Sequence, residues 1–273
     1  MPSLIFSART LNYNKRMTFT GFIGTVCMFP LRAIIAASVA LRIHPNTLTL
    51  IGVLINVGAA VALGRDHFVW AGVIMIVANI FDFIDGKVAH ITNTQSAFGA
   101  FWDSTLDRFS DIALFIGLIY LYSNLRRTDY VIITSLAMMF SIMTSYARAR
   151  AECLIDKCKV GFMERPERIV LFMIGAFTNR MAGILWVILV LSVLAVANRI
   201  YFTYLTLNKL PMPTKQGLAG VFNRAFFWTE ERTTLPYDLW VIAILAFVWL
   251  VPPDWLADPT ARGMGLLGLL FGR

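Results

Sequence analysis

Charge is scarce in this sequence. Of its 273 residues, 15% are charged, where an ordinary soluble domain has about 25%, while 58% are hydrophobic. Cysteine and histidine are scarcer still, with three of each. Three cysteines (Cys27, Cys153 and Cys158) cannot build a disulfide framework, and Cys153 and Cys158 have no second pair with which to complete a zinc site. No internal repeat and no low-complexity tract is present, and no short apolar core with a small-residue cleavage site marks a cleavable signal near Met1. These absences exclude a disordered chain, a disulfide-rich mini-protein and most soluble enzymes. A polytopic membrane protein remains. A helix crossing about 30 Å of hydrocarbon needs roughly 20 apolar residues, so the length accommodates six or seven spans and no large soluble domain.

The net charge of +8 comes from 24 Lys and Arg against 16 Asp and Glu. In a soluble protein such a balance points to nucleic acid. In a membrane protein it marks the cytoplasmic side, and no nucleic-acid partner is expected. The pattern along the chain predicts an all-α polytopic protein: a six-helix transmembrane bundle preceded by an N-terminal interfacial amphipathic helix. The polar lead and that interfacial helix occupy residues 1–45, the helix falling at 21–42, where Pro30 and Arg32 interrupt an apolar run. His44-Pro45-Asn46-Thr47 reads as a break followed by a capping residue. Six spans then follow over about 46–64, 69–91, 97–123, 129–152, 165–177 and 182–205, making 46–205 the central domain. Residues 206–273 form a C-terminal extension whose apolar stretch 236–252 is either a seventh span or an interfacial helix. Its aromatic residues Trp228, Tyr237, Trp240, Trp249 and Trp255 suit a membrane interface, with packing or dimer contact as the simplest role. With the N-terminus in the cytoplasm, seventeen basic residues fall on the cytoplasmic side and four (Arg65, Arg126, Arg127, Arg180) on the other, which sets the orientation.

The few acids are unevenly placed. Asp82, Asp85, Asp103, Asp107 and Asp111 lie within thirty residues, inside two apolar helices. A carboxylate at the centre of a membrane helix costs roughly 3 kcal/mol on insertion scales, so their grouping needs a cause. Asp82 and Asp85 are three apart, and Asp103 and Asp107 four apart, so each pair shares one helix face. If the faces oppose each other, four carboxylates converge. Their mutual repulsion is relieved by a divalent cation, and an all-oxygen ligand set favours Mg²⁺, Mn²⁺ or Ca²⁺ over zinc. Four carboxylates suit two ions, and a bound Mg²⁺ commonly holds substrate phosphates as well. Gly86, Ala89 and Gly99, on the same faces, allow a helix or ligand to approach closely. The residues therefore point to metal-assisted chemistry on a phosphate at a membrane surface. A cation or proton transporter also uses intramembrane carboxylates, but it would spread them along a pathway across the membrane.

The string Asp82-Phe-Ile-Asp85-Gly86-Lys-Val-Ala89-His90, eight residues, then Gly99-Ala-Phe-Trp-Asp103-Ser-Thr-Leu-Asp107 resembles the signature of the CDP-alcohol phosphotransferases, D-x-x-D-G-x-x-A-R-x8-G-x3-D-x3-D. Seven of the eight fixed positions match with the family's spacing, and His90 stands where the family has Arg. The resemblance covers roughly residues 40–205. It implies a six-helix membrane enzyme, a homodimer with its site open to the cytoplasm, that moves a substituted phosphate from a CDP-linked donor to an alcohol and releases CMP. By the same resemblance Asp82, Asp85 and Asp103 bind divalent metal (Mg²⁺ or Mn²⁺), and Asp107 is the general base and touches a second ion. Asp82, Gly86, Ala89 and Gly99 line the cytidine pocket, with Asn46 and Thr49 at the start of span one also touching the nucleotide.

A second stretch concerns the acceptor. Ser145-Tyr-Ala-Arg148-Ala-Arg150-Ala-Glu152, followed by Gly161-Phe-Met-Glu164-Arg165-Pro166-Glu167-Arg168, is similar to the phosphatidylinositol-phosphate synthase branch of the family, as is Phe98-Gly-Ala-Phe-Trp-Asp-Ser-Thr-Leu-Asp-Arg108. The resemblance implies CDP-diacylglycerol as donor and inositol 1-phosphate as acceptor, the acceptor phosphate being held by Arg148, Arg150, Arg165 and Arg168, with Arg199 as a further candidate. Arginine forms bidentate bonds to phosphate, which a phosphorylated polyol requires. Glycerol 3-phosphate, free inositol or another alcohol remain alternative acceptors.

Overall fold

The computed structural model describes residues 33–211 and 235–261 together with Leu31 and Gly220, and for 235–240 the backbone alone. Most of the interfacial helix expected over 21–42 therefore lies outside the described residues, although residues 33–40 are helical. Beyond that stretch the described residues include seven α-helices and one 3-10 turn: α1 (Pro45–Gly64), α2 (Phe68–Ile91), α3 (Ala97–Asn124), α4 (Thr128–Glu152), α5 (Arg165–Thr178), α6 (Met181–Leu207), α7 (Leu235–Leu250) and the turn Pro253–Leu256. The helices expected from the apolar pattern coincide with these, their ends differing by at most two residues.

Local chemistry explains the starts and stops. Pro45 opens α1, where its missing N–H is no loss, and the cap is His44, whose Nδ1 accepts from the Asn46 N–H at 3.2 Å. Asn46 is thus inside the helix. Ser96 caps α3, its Oγ accepting from the Gly99 N–H at 2.9 Å. Helix α5 has Pro166 in its first turn and ends at Asn179 in the left-handed conformation, φ 56°. Four helices, α1, α2, α4 and α6, are long and apolar enough to cross a membrane. Helix α3 has the length but carries Asp103, Asp107, Arg108 and Asp111 between its start and its middle. Helix α5 has 14 residues, roughly 21 Å at 1.5 Å per residue.

In hydrocarbon the apolar faces gain little from meeting one another, so close packing sets the arrangement. Helix α1 lies against α2 and α3, α4 against α3 and α6, and α5 against α2 and α6. Gly117 on α3 sits directly over α1, where a Cβ would overlap the Ala60 carbonyl oxygen. At Gly72 on α2 a Cβ would come within 2.8 Å of the Phe177 ring of α5. Leu63, Met75, Leu114, Phe115, Phe172 and Ile184 fill the centre, with Phe115 and Phe172 edge to face at 5.0 Å.

The C-terminal segment is fastened at the end of the bundle away from the aspartates. Tyr130 Oη donates to the Leu256 carbonyl, and Arg180 Nη1 donates to the Val251 carbonyl at 3.3 Å. Of the aromatic residues expected to form an interfacial belt, Trp249 and Trp255 are exposed. The side chains of Trp228, Tyr237 and Trp240 lie outside the described residues. The packing of α1, α2 and α3 brings the end of α2 beside the start of α3, with Pro45–Thr49 closing one side, and this is where the carboxylates meet.

Candidate active site

Helix α2 presents Asp82 and Asp85, and α3 presents Asp103 and Asp107. One carboxylate oxygen from each of Asp82, Asp85 and Asp103 lies within 4.8 Å of the other two. Asp85 is buried, and Thr49 Oγ1 donates to its Oδ2 at 2.5 Å, which ties α1 to the cluster. The four-carboxylate convergence expected from helical spacing resolves into this group of three plus Asp107, one turn further along α3. Between them stands the Arg165 guanidinium. Its Nη1 donates to Asp82 at 2.8 Å, its Nη2 lies 3.0 Å from Asp107, and its Nε lies 3.8 Å from Asp111. Three carboxylates so close, with a single arginine contacting one of them, form a hard, all-oxygen donor set suited to a divalent cation. The space beside them is open, since a Cβ built at Gly86 meets nothing within 4 Å. The residues present fit such an ion.

Two cavities flank the group. One, of about 250 Å³, lies among the start of α1, the end of α2 and the start of α3. Its walls include Asn46, Thr49, Asp85, Gly86, Ala89, Gly99 and Asp103, so all the residues expected at the nucleotide except Asp82 line one space. Thr94, Gln95 and Ser96 complete it and were not anticipated from the sequence. The one available signal was Ser96 three residues before Gly99, the spacing of a cap. His90 is exposed and lines neither cavity.

The other cavity, about 370 Å³, contains Asp107 and Asp111 from α3, Arg148 and Glu152 from α4, Glu164, Arg165 and Arg168 at the start of α5, and Arg199 from α6. Four of the five arginines singled out in the sequence are therefore brought together. Arg150 is not: it is exposed at the end of α4, outside the lining residues. The four differ in commitment. Arg168 is buried, donating to Asp111 through Nε at 3.1 Å and Nη2 at 2.5 Å, and to the Ser141 carbonyl at 3.3 Å. Arg199 is buried and donates to the carbonyls of Val160, at 3.0 Å, and Thr144. Arg148 is more open and meets only carboxylates, Glu152 at 3.1 Å and Glu164 at 2.8 Å. Glu152 and Asp111 acquire a place in the site that sequence reasoning did not assign them. Their spacing of four from Arg148 and from Asp107 was the visible clue.

Known proteins resemble this chain in sequence and fold. The CDP-alcohol phosphatidyltransferase family model matches residues 42–210. The archaetidylinositol phosphate synthase of Pyrococcus horikoshii is 35% identical over 173 residues, which is 63% of this chain and 89% of that protein. The phosphatidylinositol phosphate synthase of Mycobacteroides abscessus is 34% identical over 166 residues, 58% of this chain and 76% of that protein. Among solved structures, the phosphatidylinositol phosphate synthase of Mycobacterium tuberculosis with CDP-DAG bound superposes with a TM-score of 0.60 at 26% identity, covering 64% of this chain and 93% of that one. The same enzyme with manganese and citrate gives 0.61 at 25% identity, covering 68% and 96%. A family model matching more than half of the residues, on a helical frame that gathers the signature aspartates, leads to one conclusion: the chain belongs to the CDP-alcohol phosphatidyltransferase family.

Proposed function

We propose that this protein transfers the phosphatidyl group of CDP-diacylglycerol to inositol 1-phosphate, giving phosphatidylinositol phosphate and CMP. The observation that carries the reading is the junction of two cavities at the aspartates: one small and lined by hydroxyls, glycines and an asparagine, the other lined by arginines. Relatives named as inositol-phosphate-lipid synthases support it, as does the similar Mycobacterium tuberculosis enzyme, solved once with CDP-DAG and once with manganese and citrate.

In this reading the cytidine end of the donor enters beside Asn46, Thr49, Gly86, Ala89 and Gly99, where small side chains leave room for a ring. Asp82, Asp85 and Asp103 hold the divalent cation, Mg²⁺ or Mn²⁺, with Asp107 reaching a second ion. When bound, the cation neutralises diphosphate charge and makes CMP a better leaving group. The acceptor phosphate is gripped in the larger cavity by Arg148 and Arg165, and the buried Arg168 and Arg199 fix the wall behind it. Asp107 faces that cavity and takes the proton from the attacking inositol hydroxyl. The hydroxyl oxygen forms a new bond to the phosphorus bearing diacylglycerol. The bond from that phosphorus to the bridging oxygen breaks, and its electron pair leaves with CMP. Such a displacement depends on positioning more than on covalent help.

The wider organisation is part of the proposal. Helices α1 to α6 form the six-span catalytic domain, residues 46–205, between a lead with an interfacial helix (1–45) and the extension (206–273). The basic-residue bias puts the site at the cytoplasmic face, and the functional unit is a homodimer.

The decisive assay supplies purified protein with CDP-diacylglycerol, Mg²⁺ or Mn²⁺ and radiolabelled inositol 1-phosphate. Labelled lipid and CMP in equal amounts are expected, abolished by EDTA and restored by Mn²⁺. Absence of both products, or full activity in Asp107→Ala, overturns the reading. Competition by glycerol 3-phosphate and free inositol, each expected to be poor, tests the acceptor.

A further inference from the structure

The helix α7 lies outside the matched residues 42–210, yet it walls a third cavity of about 480 Å³. One side is Phe162 and the face of α5 bearing Pro166, Val170, Leu171 and Ile174, with Glu167 as its one charged residue, and the other is Val241, Ile244 and Leu245 of α7. Helix α5 is thereby two-sided. Arg165 and Arg168 turn toward the carboxylates, while Val170 and Ile174 turn toward α7. Pro166 lines both the arginine cavity and this apolar groove, so the two spaces adjoin across a single residue. From Pro166 to Ile174 the groove runs along α5 for roughly 12 Å at 1.5 Å per residue.

We infer that this groove receives one acyl chain of the lipid donor, and that α7, outside the matched residues, makes it a chain-selecting element. The inference rests on the proposed phosphatidyl transfer, because it needs a substrate with a polar head at the aspartates and a hydrocarbon tail. Such a molecule needs a polar space with an apolar one beside it, and Pro166 is the wall that the arginine cavity and the groove share. Surrounding lipid is as apolar as the groove, so burial alone gives the chain little reason to enter. What the groove offers is a fixed shape beside the reacting phosphate. It therefore orients and discriminates between donors, with effects of a few-fold.

The test uses the full-length protein in detergent micelles, with dioleoyl and dihexanoyl CDP-diacylglycerol as donors. In Ile244→Trp, which fills the groove, the ratio of the long-chain KM to the short-chain KM is expected to rise at least threefold. Ile242→Trp, on the same helix at an exposed position outside the groove lining, should leave that ratio within experimental error. A ratio unmoved in both variants, or moved equally in both, overturns the inference. Independently of turnover, and of whether the Trp variant folds, a CDP-diacylglycerol with a diazirine in one acyl chain should label residues within 241–245 of the wild-type protein. Labelling elsewhere only, or labelling abolished by excess phosphatidylcholine, assigns the groove to bulk lipid and overturns it. A wild-type protein that transfers nothing from any CDP-diacylglycerol sinks the proposed reaction, whereas normal transfer with no groove labelling sinks the acyl-chain inference alone.

Discussion

The two cavities at the aspartates are walled by different kinds of residue. The smaller is walled by Gly86, Ala89, Gly99, Ala100 and the short polar side chains of Asn46, Thr49 and Ser96. It is defined by what its residues leave empty. The larger is crowded with long charged side chains that already hold one another. A ligand entering the first fills space, and a ligand entering the second must displace an ion pair. In the proposed reaction shape selects in one and charge exchange in the other, and Asp107 lines the second.

The largest effect should come from that residue. Asp107→Asn removes the proposed base while keeping size and hydrogen bonding, so kcat should fall about 10²- to 10⁴-fold, with KM for both substrates nearly unchanged in steady-state assays. A large rise in donor KM instead would move Asp107 into the nucleotide side and break the division between cavities. Next comes Arg148→Gln. Loss of one charge-assisted bond, worth about 1.5–3 kcal/mol, should raise KM for inositol 1-phosphate roughly ten- to hundredfold and leave KM for the donor alone. Gly86→Leu probes the other mode. Leucine improves helix propensity at this site and meets no neighbour at Cβ, so the fold should hold while the added volume enters the cavity. Donor KM should rise about tenfold without change in acceptor KM, and equal changes in both would show that the cavities are not separate. The smallest effect belongs to Arg150→Ala. An exposed side chain away from the cavity should alter activity less than twofold, as surface substitutions usually shift energies by about 0.5 kcal/mol or less.

The same contrast explains what could be read without coordinates. Helix positions were legible because apolar runs and their breaks are local: Pro45 and Pro166 near helix starts, Asn124 and Thr178-Asn179 at helix ends. The pairs Asp82/Asp85 and Asp103/Asp107 were legible because helical spacing fixes which residues share a face. Which pair members meet across two helices is not local. It depends on how far α2 and α3 slide along each other, and the slide that seats Gly117 on Ala60 groups Asp85 with Asp103 and leaves Asp107 to Arg165. The arginines show the same limit. Arg148 and Arg150 look alike in the chain, but two residues along a helix is a turn of about 200°, so one enters the cavity and the other faces outward. Among the described residues four helices meet the length and hydropathy of a span, and α3 and α5 fall outside it because of charge and of length. These are the two helices that supply most of the charged groups of the larger cavity, so the site itself blurs the signal by which its helices would be recognised.

The ion pairing of that cavity has one more consequence. Its walls carry five arginines against four carboxylates, one positive charge in excess. Seen from a Debye length away, about 8 Å in physiological salt, it is close to neutral and cannot draw an anion from solution as a strongly basic cleft does. In the proposed reaction, inositol phosphate gains little pull from this cavity before contact and is recognised on arrival, as carboxylate partners are exchanged for phosphate. Any ionic-strength dependence of acceptor association should therefore come from the basic face around the cavity rather than from the cavity itself.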